Sequence, residues 1–234
     1  PRVRRQRQMC IRDRLIGDLI KPNDIIILVT PIDESAPKGR LILPQQQTIR
    51  DILDNRAITV VVQPSELKAA LDALPKPRLV VTDSQAFKAV DAIVPQDIQL
   101  TSFSILFARY KGELETVAAG AEAIARLKDG DTVLISEGCT HHRQCNDIGS
   151  VKLPGWISNY TGKKLNYEFT SGGEFPESLD KYALIVHCGG CMLTAREMKY
   201  RLRHARDCGV PITNYGIAIA KMHGILDRSL EPFN

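Results

Sequence analysis

The hydrophobic pattern opens on Ile25-Ile26-Ile27-Leu28-Val29, an apolar run bounded by Asp24 and Pro31. A run this short and this apolar reads as a strand buried on both faces. Ala57 to Val62 and Arg78 to Thr82 repeat the pattern, and Ile98-Gln99-Leu100 gives a shorter fourth run. Between these runs the apolar positions change to helical spacing. Ile49, Ile52 and Leu53 share a face after Thr48, Leu67, Leu71 and Leu74 share one after Ser65, and Asp83 or Ser84 is placed to cap the next helix. Ser102 to Leu127 reads as one long helical stretch carrying Phe103, Leu106, Phe107 and Tyr110, with breaks expected at Gly112 or Gly120. Strand runs then return at Thr132 to Ile135, Ala183 to Val186 and Ile212 to Asn214. Helices are expected near Trp156, from the Thr194-Ala195-Arg196-Glu197 capping pattern to Cys208 with Gly209 as its stop, and around Ile217 to Ile225. Strands alternating with helices predict an α/β fold of two consecutive Rossmann-like parallel-sheet domains with right-handed crossovers. The expected division is an Arg-rich tail at 1–14, a first domain at 15–101 and a second at 102–234.

Charge changes this picture in one place only. The formal net charge is +4, but residues 1–14 hold six Arg and one Asp, while the rest of the chain holds 25 basic and 26 acidic residues. The body of the protein is therefore close to neutral, and no nucleic-acid partner is expected from charge. The Arg-rich start has neither helical nor strand period and resembles translated sequencing-adapter sequence; a basic tail or targeting segment is the alternative. It is left out of the fold reasoning. No apolar run approaches the length of a membrane span. Six Cys without a signal-peptide pattern point to metal or redox work in a reducing cytoplasm, not to a disulfide framework.

The candidate chemistry lies in two stretches that follow two of the buried runs. Cys139-Thr140-His141-His142 follows the strand at Thr132, and His187-Cys188-Gly189-Gly190-Cys191 follows the strand at Ala183. Together they read C-x-H, a gap of 45 residues, then H-C-x-x-C. A C-x-x-C loop brings two sulfurs to one side of a turn, and its glycines let the backbone pass close to a metal centre. Parallel sheets place their sites at the carboxyl ends of strands, and the helix start at Thr194 would favour an anionic thiolate centre there. On spacing alone, a structural zinc site and an iron–sulfur cluster are both open for Cys139, Cys188 and Cys191, with His141 and His187 as candidate imidazole ligands. Cys145 would be either a fourth thiolate or a spectator, and His142 a surface or hydrogen-bonding histidine. His204, His223 and Cys208 read as structural or solvated, and Cys10 belongs to the tail. Arg143, Lys152 and Arg196 flank the motif; they read as ordinary surface charges or, in the alternative, as donors to anionic ligands of a bound group. An enzyme would need a general base beside the metal centre; Glu137 and Asp147 are near in sequence, but nothing in the sequence shows that they converge.

The stretch Cys139-Thr140-His141-His142-Arg143-Gln144-Cys145-Asn146-Asp147-Ile148-Gly149, followed by His187-Cys188-Gly189-Gly190-Cys191, resembles the iron–sulfur domain of HydF, the scaffold GTPase of [FeFe]-hydrogenase maturation. Pro31-Ile32-Asp33, Ala36-Pro37-Lys38-Gly39-Arg40-Leu41-Ile42-Leu43-Pro44 and Thr48-Ile49-Arg50-Asp51-Ile52-Leu53 are similar to that family's middle, dimerisation domain. The likeness covers about residues 15 to 234. It implies a [4Fe–4S] cluster on Cys139, Cys188 and Cys191, with one iron left to an exchangeable ligand. His141 or His187 would be that ligand or a donor to a sulfur. It further implies carriage of a transient diiron subcluster precursor with CO and cyanide ligands. The expected partners are the [FeFe]-hydrogenase apo-protein, radical-SAM maturation enzymes, and copies of the chain in a homodimer or higher homo-oligomer. The sequence contains no G-x-x-x-x-G-K-[ST], so GTP hydrolysis is not carried over and no enzymatic activity is expected. A zinc-stabilised interaction module and a cluster enzyme that binds substrate at an open iron are the two alternatives.

Overall fold

A computed structural model of the chain describes residues 14–32, 41–111, 114–138 and 147–233. The chain forms two compact units. One comprises residues up to Tyr110 together with Ile225–Asn234, and the other is Lys111–Gly224.

The first unit is built on a four-stranded, all-parallel sheet in the order β2-β1-β3-β4, formed by β1 (Ile25–Val29), β2 (Ile58–Val62), β3 (Leu79–Thr82) and β4 (Gln99–Ser102). The apolar runs of β1 and β3 are buried on both faces because helices cover both sides, which is why they carry no alternation. Helix α1 (Leu43–Asp54) starts five residues before the expected Thr48. Pro44 fits its first turn, where no N–H is needed, and Thr48 is instead buried with its hydroxyl donating to the Pro44 carbonyl at 2.8 Å. Helix α2 (Leu67–Ala73) follows β2. The Asp83 carboxylate accepts the Gln85 N–H at 3.0 Å and opens the 3₁₀ turn before α3 (Phe87–Ile93). Helix α4 (Phe103–Lys111) places Phe103, Leu106 and Phe107 in a core with Leu15, Ile16, Ile26, Leu28 and Ile52. The segment after Arg14 is thus part of this core. Asp51 fixes it by accepting the N–H groups of Ile16 at 2.7 Å and Gly17 at 2.9 Å.

The last residues of the chain also pack with this first unit, an association that local periodicity does not carry. The last described α-helix spans Leu226–Leu230. Its Arg228 donates to Asp91 Oδ1 at 2.6 Å and to the carbonyls of Val94 at 3.0 Å and Pro95 at 2.6 Å, past the end of α3. Arg228→Ala strands these acceptors and is expected to lower unfolding free energy by about 2 kcal/mol, read from the urea midpoint. A midpoint within error of the parent would mean that this anchor carries no stability.

The second unit repeats the strand order. Its sheet is β6-β5-β7-β8, all parallel, from β5 (Thr132–Ser136), β6 (Asn166–Thr170), β7 (Tyr182–His187) and β8 (Ile212–Asn214). Helix α5 (Leu114–Ala121) continues as a 3₁₀ segment at Glu122–Arg126, so Gly120 lies inside a helix and not at a break. Residues 112 and 113, and with them the expected break at Gly112, lie outside the described residues. A π-helical turn at Ile148–Lys152 leads into α6 (Leu153–Thr161), which contains Trp156. Helix α7 (Ala195–Asp207) begins and ends where the sequence indicates. Thr194 Oγ1 accepts the Glu197 N–H at 3.2 Å, and Gly209 closes the end at a φ of +69°. Helix α8 (Tyr215–Met222) ends earlier than the expected Ile225. Strand β6 has no counterpart in the sequence reading. It is an edge strand, partly exposed along its length. No described helix is long and apolar enough to cross a membrane.

The chain is therefore an α/β protein with two Rossmann-like parallel-sheet units.

Candidate metal centre

In an open parallel sheet a ligand crevice forms where consecutive connections leave in opposite directions. In the second unit that point lies between β5 and β7. The chain goes from β5 outward to β6 on one side, and from β7 outward to β8 on the other. The register pairs Ser136 with His187 and His187 with Asn214, so these residues mark the carboxyl ends of the three strands. Both cysteine motifs begin one to three residues past this line.

Cys188 is the best-defined member. Its backbone N–H continues the ladder to the Ser136 carbonyl at 2.8 Å. Its Sγ accepts the N–H of Gly138 at 3.0 Å and the N–H of Gly190 at 3.4 Å. Gly138 is the residue before Cys139 in the sequence, so the backbone leading into the first motif is held against a sulfur of the second. Cys139, His141, His142, Arg143 and Cys145 lie outside the described residues. Cys188 and Cys191 are both of intermediate exposure. Among the described residues no group of three or more His, Cys, Asp or Glu converges as a metal site.

Two glycines are required here for distinct reasons. Gly190 has a φ of +59°, and a Cβ on it would lie 2.7 Å from Met198 Sδ. A Cβ on Gly149 would lie 2.3 Å from both Glu137 Oε1 and Tyr215 Oη. Gly149 thus lets the π-helical turn close over a part-buried pair in which Tyr215 donates to Glu137 at 3.2 Å. Burial, followed by the charges of Glu137 and Cys188, raises the Tyr215 pKa and keeps its hydroxyl protonated. Asp147 adds to the same effect. The acidic groups noted from sequence therefore both act on one tyrosine, which the sequence did not mark.

Lys111 is a second residue that the sequence did not mark. It is 8% exposed, and its ammonium donates to the carbonyls of Gly190 and of Leu193, the latter at 2.9 Å. Burial lowers its pKa, and the charges of Cys191 and Cys188 pull it back up.

His187 is 1% exposed and has both ring nitrogens engaged. Nδ1 lies 2.7 Å from the Cys188 carbonyl and Nε2 lies 3.0 Å from Nη1 of Arg201. A carbonyl only accepts and a guanidinium only donates, so Nδ1 carries the proton and Nε2 the lone pair. Burial lowers its pKa to about 4; the bond to the Cys188 carbonyl works against this, and the charges of Arg201 and Lys111 add to the lowering. In this arrangement the Nε2 lone pair faces Arg201. Arg196 is exposed in the first turn of α7, and His204 donates through Nε2 to the Glu177 carbonyl at 2.9 Å while stacking on Tyr200. Cys208 caps α7 and is exposed, and His223 follows α8, also exposed.

The donor set fits a thiolate-held centre: two sulfurs in one loop, two N–H groups aimed at one of them, and a buried ammonium alongside. Fold and site together define a Rossmann-like protein that gathers thiols at the switch point of its second sheet. Two family models match the chain. One, described as the Hydrogen maturase F dimerization domain, matches residues 15–112, and the other, the Hydrogen maturase F tetramerization domain, matches residues 115–232. The chain belongs to the hydrogen maturase F family. No curated protein matches it.

Proposed function

We propose that the chain is an iron–sulfur scaffold of [FeFe]-hydrogenase maturation. Cys139, Cys188 and Cys191 hold a [4Fe–4S] cluster, leaving one iron to an exchangeable ligand. The observation that supports this reading is the contact of Cys188 Sγ with the N–H of Gly138, the residue that precedes Cys139 in the sequence. N–H donors to sulfur and the Lys111 cation both stabilise the negative charge of a thiolate cluster. The cargo is a diiron precursor with CO and cyanide ligands. Radical-SAM maturation enzymes supply it, and the apo-hydrogenase receives it. The chain itself performs no catalysis. Its two parts act as the homo-oligomer that the family's domain descriptions name, in the cytoplasm.

The direct test loads the cluster-bearing chain with a synthetic diiron precursor, removes the excess, and adds apo-[FeFe]-hydrogenase. Hydrogen evolution should appear in proportion to the chain added and be absent with a Cys191→Ser chain. Equal activation by both chains would refute the delivery role.

A further inference from the structure

The sequence places five basic residues on α7, and four of them are exposed. The fifth, Arg201, is fully buried. Among the described residues its carboxylate partner is Glu197, whose Oε1 accepts from Nε at 2.9 Å and whose side chain is itself 38% exposed. The other N–H groups go elsewhere: Nη1 to His187 Nε2 at 3.0 Å and, at 3.5 Å, to Ser136 Oγ, and Nη2 to the Gly172 carbonyl at 2.9 Å. The guanidinium also lies 5.1 Å from the centroid of the Phe175 ring. Burying an arginine against one half-open carboxylate is a poor route to stability, since an apolar side chain of similar size would fill the space at lower desolvation cost. What an apolar residue could not supply is direction. Arg201 joins Ser136 at the end of β5 to His187 at the end of β7, and Cys139 and Cys188 follow those ends by three residues and by one.

We propose that Arg201 is the positioning residue of the thiol site: it fixes His187 as the Nδ1–H tautomer, which holds the Cys188 carbonyl and so sets the direction in which Cys188 presents its sulfur. The chain of donors is one-way. Arg201 donates to Nε2, which leaves the proton on Nδ1, and Nδ1–H donates to the Cys188 carbonyl. With the carbonyl held by His187, the N–H by Ser136 and the sulfur by Gly138 and Gly190, the Cys188 residue has little freedom left. His187 then acts through hydrogen bonds and stays off the metal. What the sulfur binds rests on the proposed function; the hydrogen-bond chain does not.

The first experiment needs no metal. The metal-free chain is labelled with ¹⁵N at histidine, and a long-range ¹H–¹⁵N spectrum is recorded, with His187 assigned by its loss in His187→Gln. The parent should show Nδ1 protonated and Nε2 bare. Arg201→Met should convert this signal to a tautomer mixture, and Arg201→Lys, which restores a donor, should recover it in part. A parent signal with the proton on Nε2, or an unchanged tautomer in a folded Arg201→Met chain, overturns the proposal. After anaerobic reconstitution, Arg201→Met should retain iron about 10-fold more weakly than the parent, and Arg201→Lys should lie between them. If Arg201→Met fails to fold, the parent decides alone. Strong hyperfine coupling of the reduced cluster to His187 ¹⁵N would overturn the proposal, because Nε2 cannot ligate iron and accept from Arg201 together; its absence supports it. A parent that binds no iron refutes the proposed function and leaves the tautomer result to decide this inference.

Discussion

Cys188→Ser purified without oxygen should hold less than about one iron per chain, against about four for the parent. Serine is nearly the same size, but its alcohol stays protonated where the thiol ionises, so the cluster loses one of three thiolates. The two N–H groups that converge on Cys188 Sγ and the Lys111 ammonium beside it are all arranged for an anion. The fold should be indifferent: the residue is only partly buried, and its replacement should move unfolding free energy by no more than about 0.5 kcal/mol. Cys139→Ser and Cys191→Ser are expected to behave alike. Cys145→Ser should keep its full complement of iron. If Cys145→Ser loses all bound iron as well, the cluster has four cysteine ligands and the exchangeable position does not exist.

The second large effect concerns the frame and not the site. Gly120→Ala should destabilise the second unit by about 3 kcal/mol. Alanine is the better helix former by about 1 kcal/mol, so a simple propensity argument predicts the opposite sign. Packing decides against it. A Cβ at position 120 would lie 2.0 Å from the carbonyl oxygen of Ile212 and 2.6 Å from its carbon. Both are backbone atoms of β8, which is hydrogen-bonded to β7 and cannot give way as a flexible side chain would. Helix α5 or the strand must shift, and β8 ends at Asn214, whose carboxamide caps α8 by accepting the Ile217 N–H at 2.8 Å. Thermal unfolding should drop by about 10 °C. A Gly120→Ala chain as stable as its parent would mean that α5 does not press on β8 as closely as described.

Most of the frame was legible because its strands are buried on both faces. Ile25–Val29, Leu79–Thr82, Thr132–Ser136 and Tyr182–His187 are the central strands of the two sheets, and each reads as an apolar run. Strand β6, Asn-Tyr-Glu-Phe-Thr, was missed because an edge strand with solvent on one side has no such run, and its polar alternation is short. The return of Ile225–Asn234 to the first unit was hidden for another reason: it depends on contacts between Arg228 and residues more than 130 positions away. The thiol motifs were visible by spacing. Arg201 and Lys111 were not, because cations in charged helices read as solvated. One signal was present. Met198, Arg201, Leu202 and Ala205 fall at helical spacing on the buried stripe of α7, so Arg201 interrupts an otherwise apolar face.

The metal content of the chain distinguishes an iron–sulfur scaffold from a zinc module most directly. Iron, zinc and acid-labile sulfide should be measured on protein purified without oxygen, together with a visible spectrum. The account predicts about four irons and four sulfides per chain, negligible zinc and a broad brown charge-transfer absorption. One zinc per chain with no sulfide and no colour would contradict it, and would make the thiols of Cys139, Cys188 and Cys191 a structural zinc site.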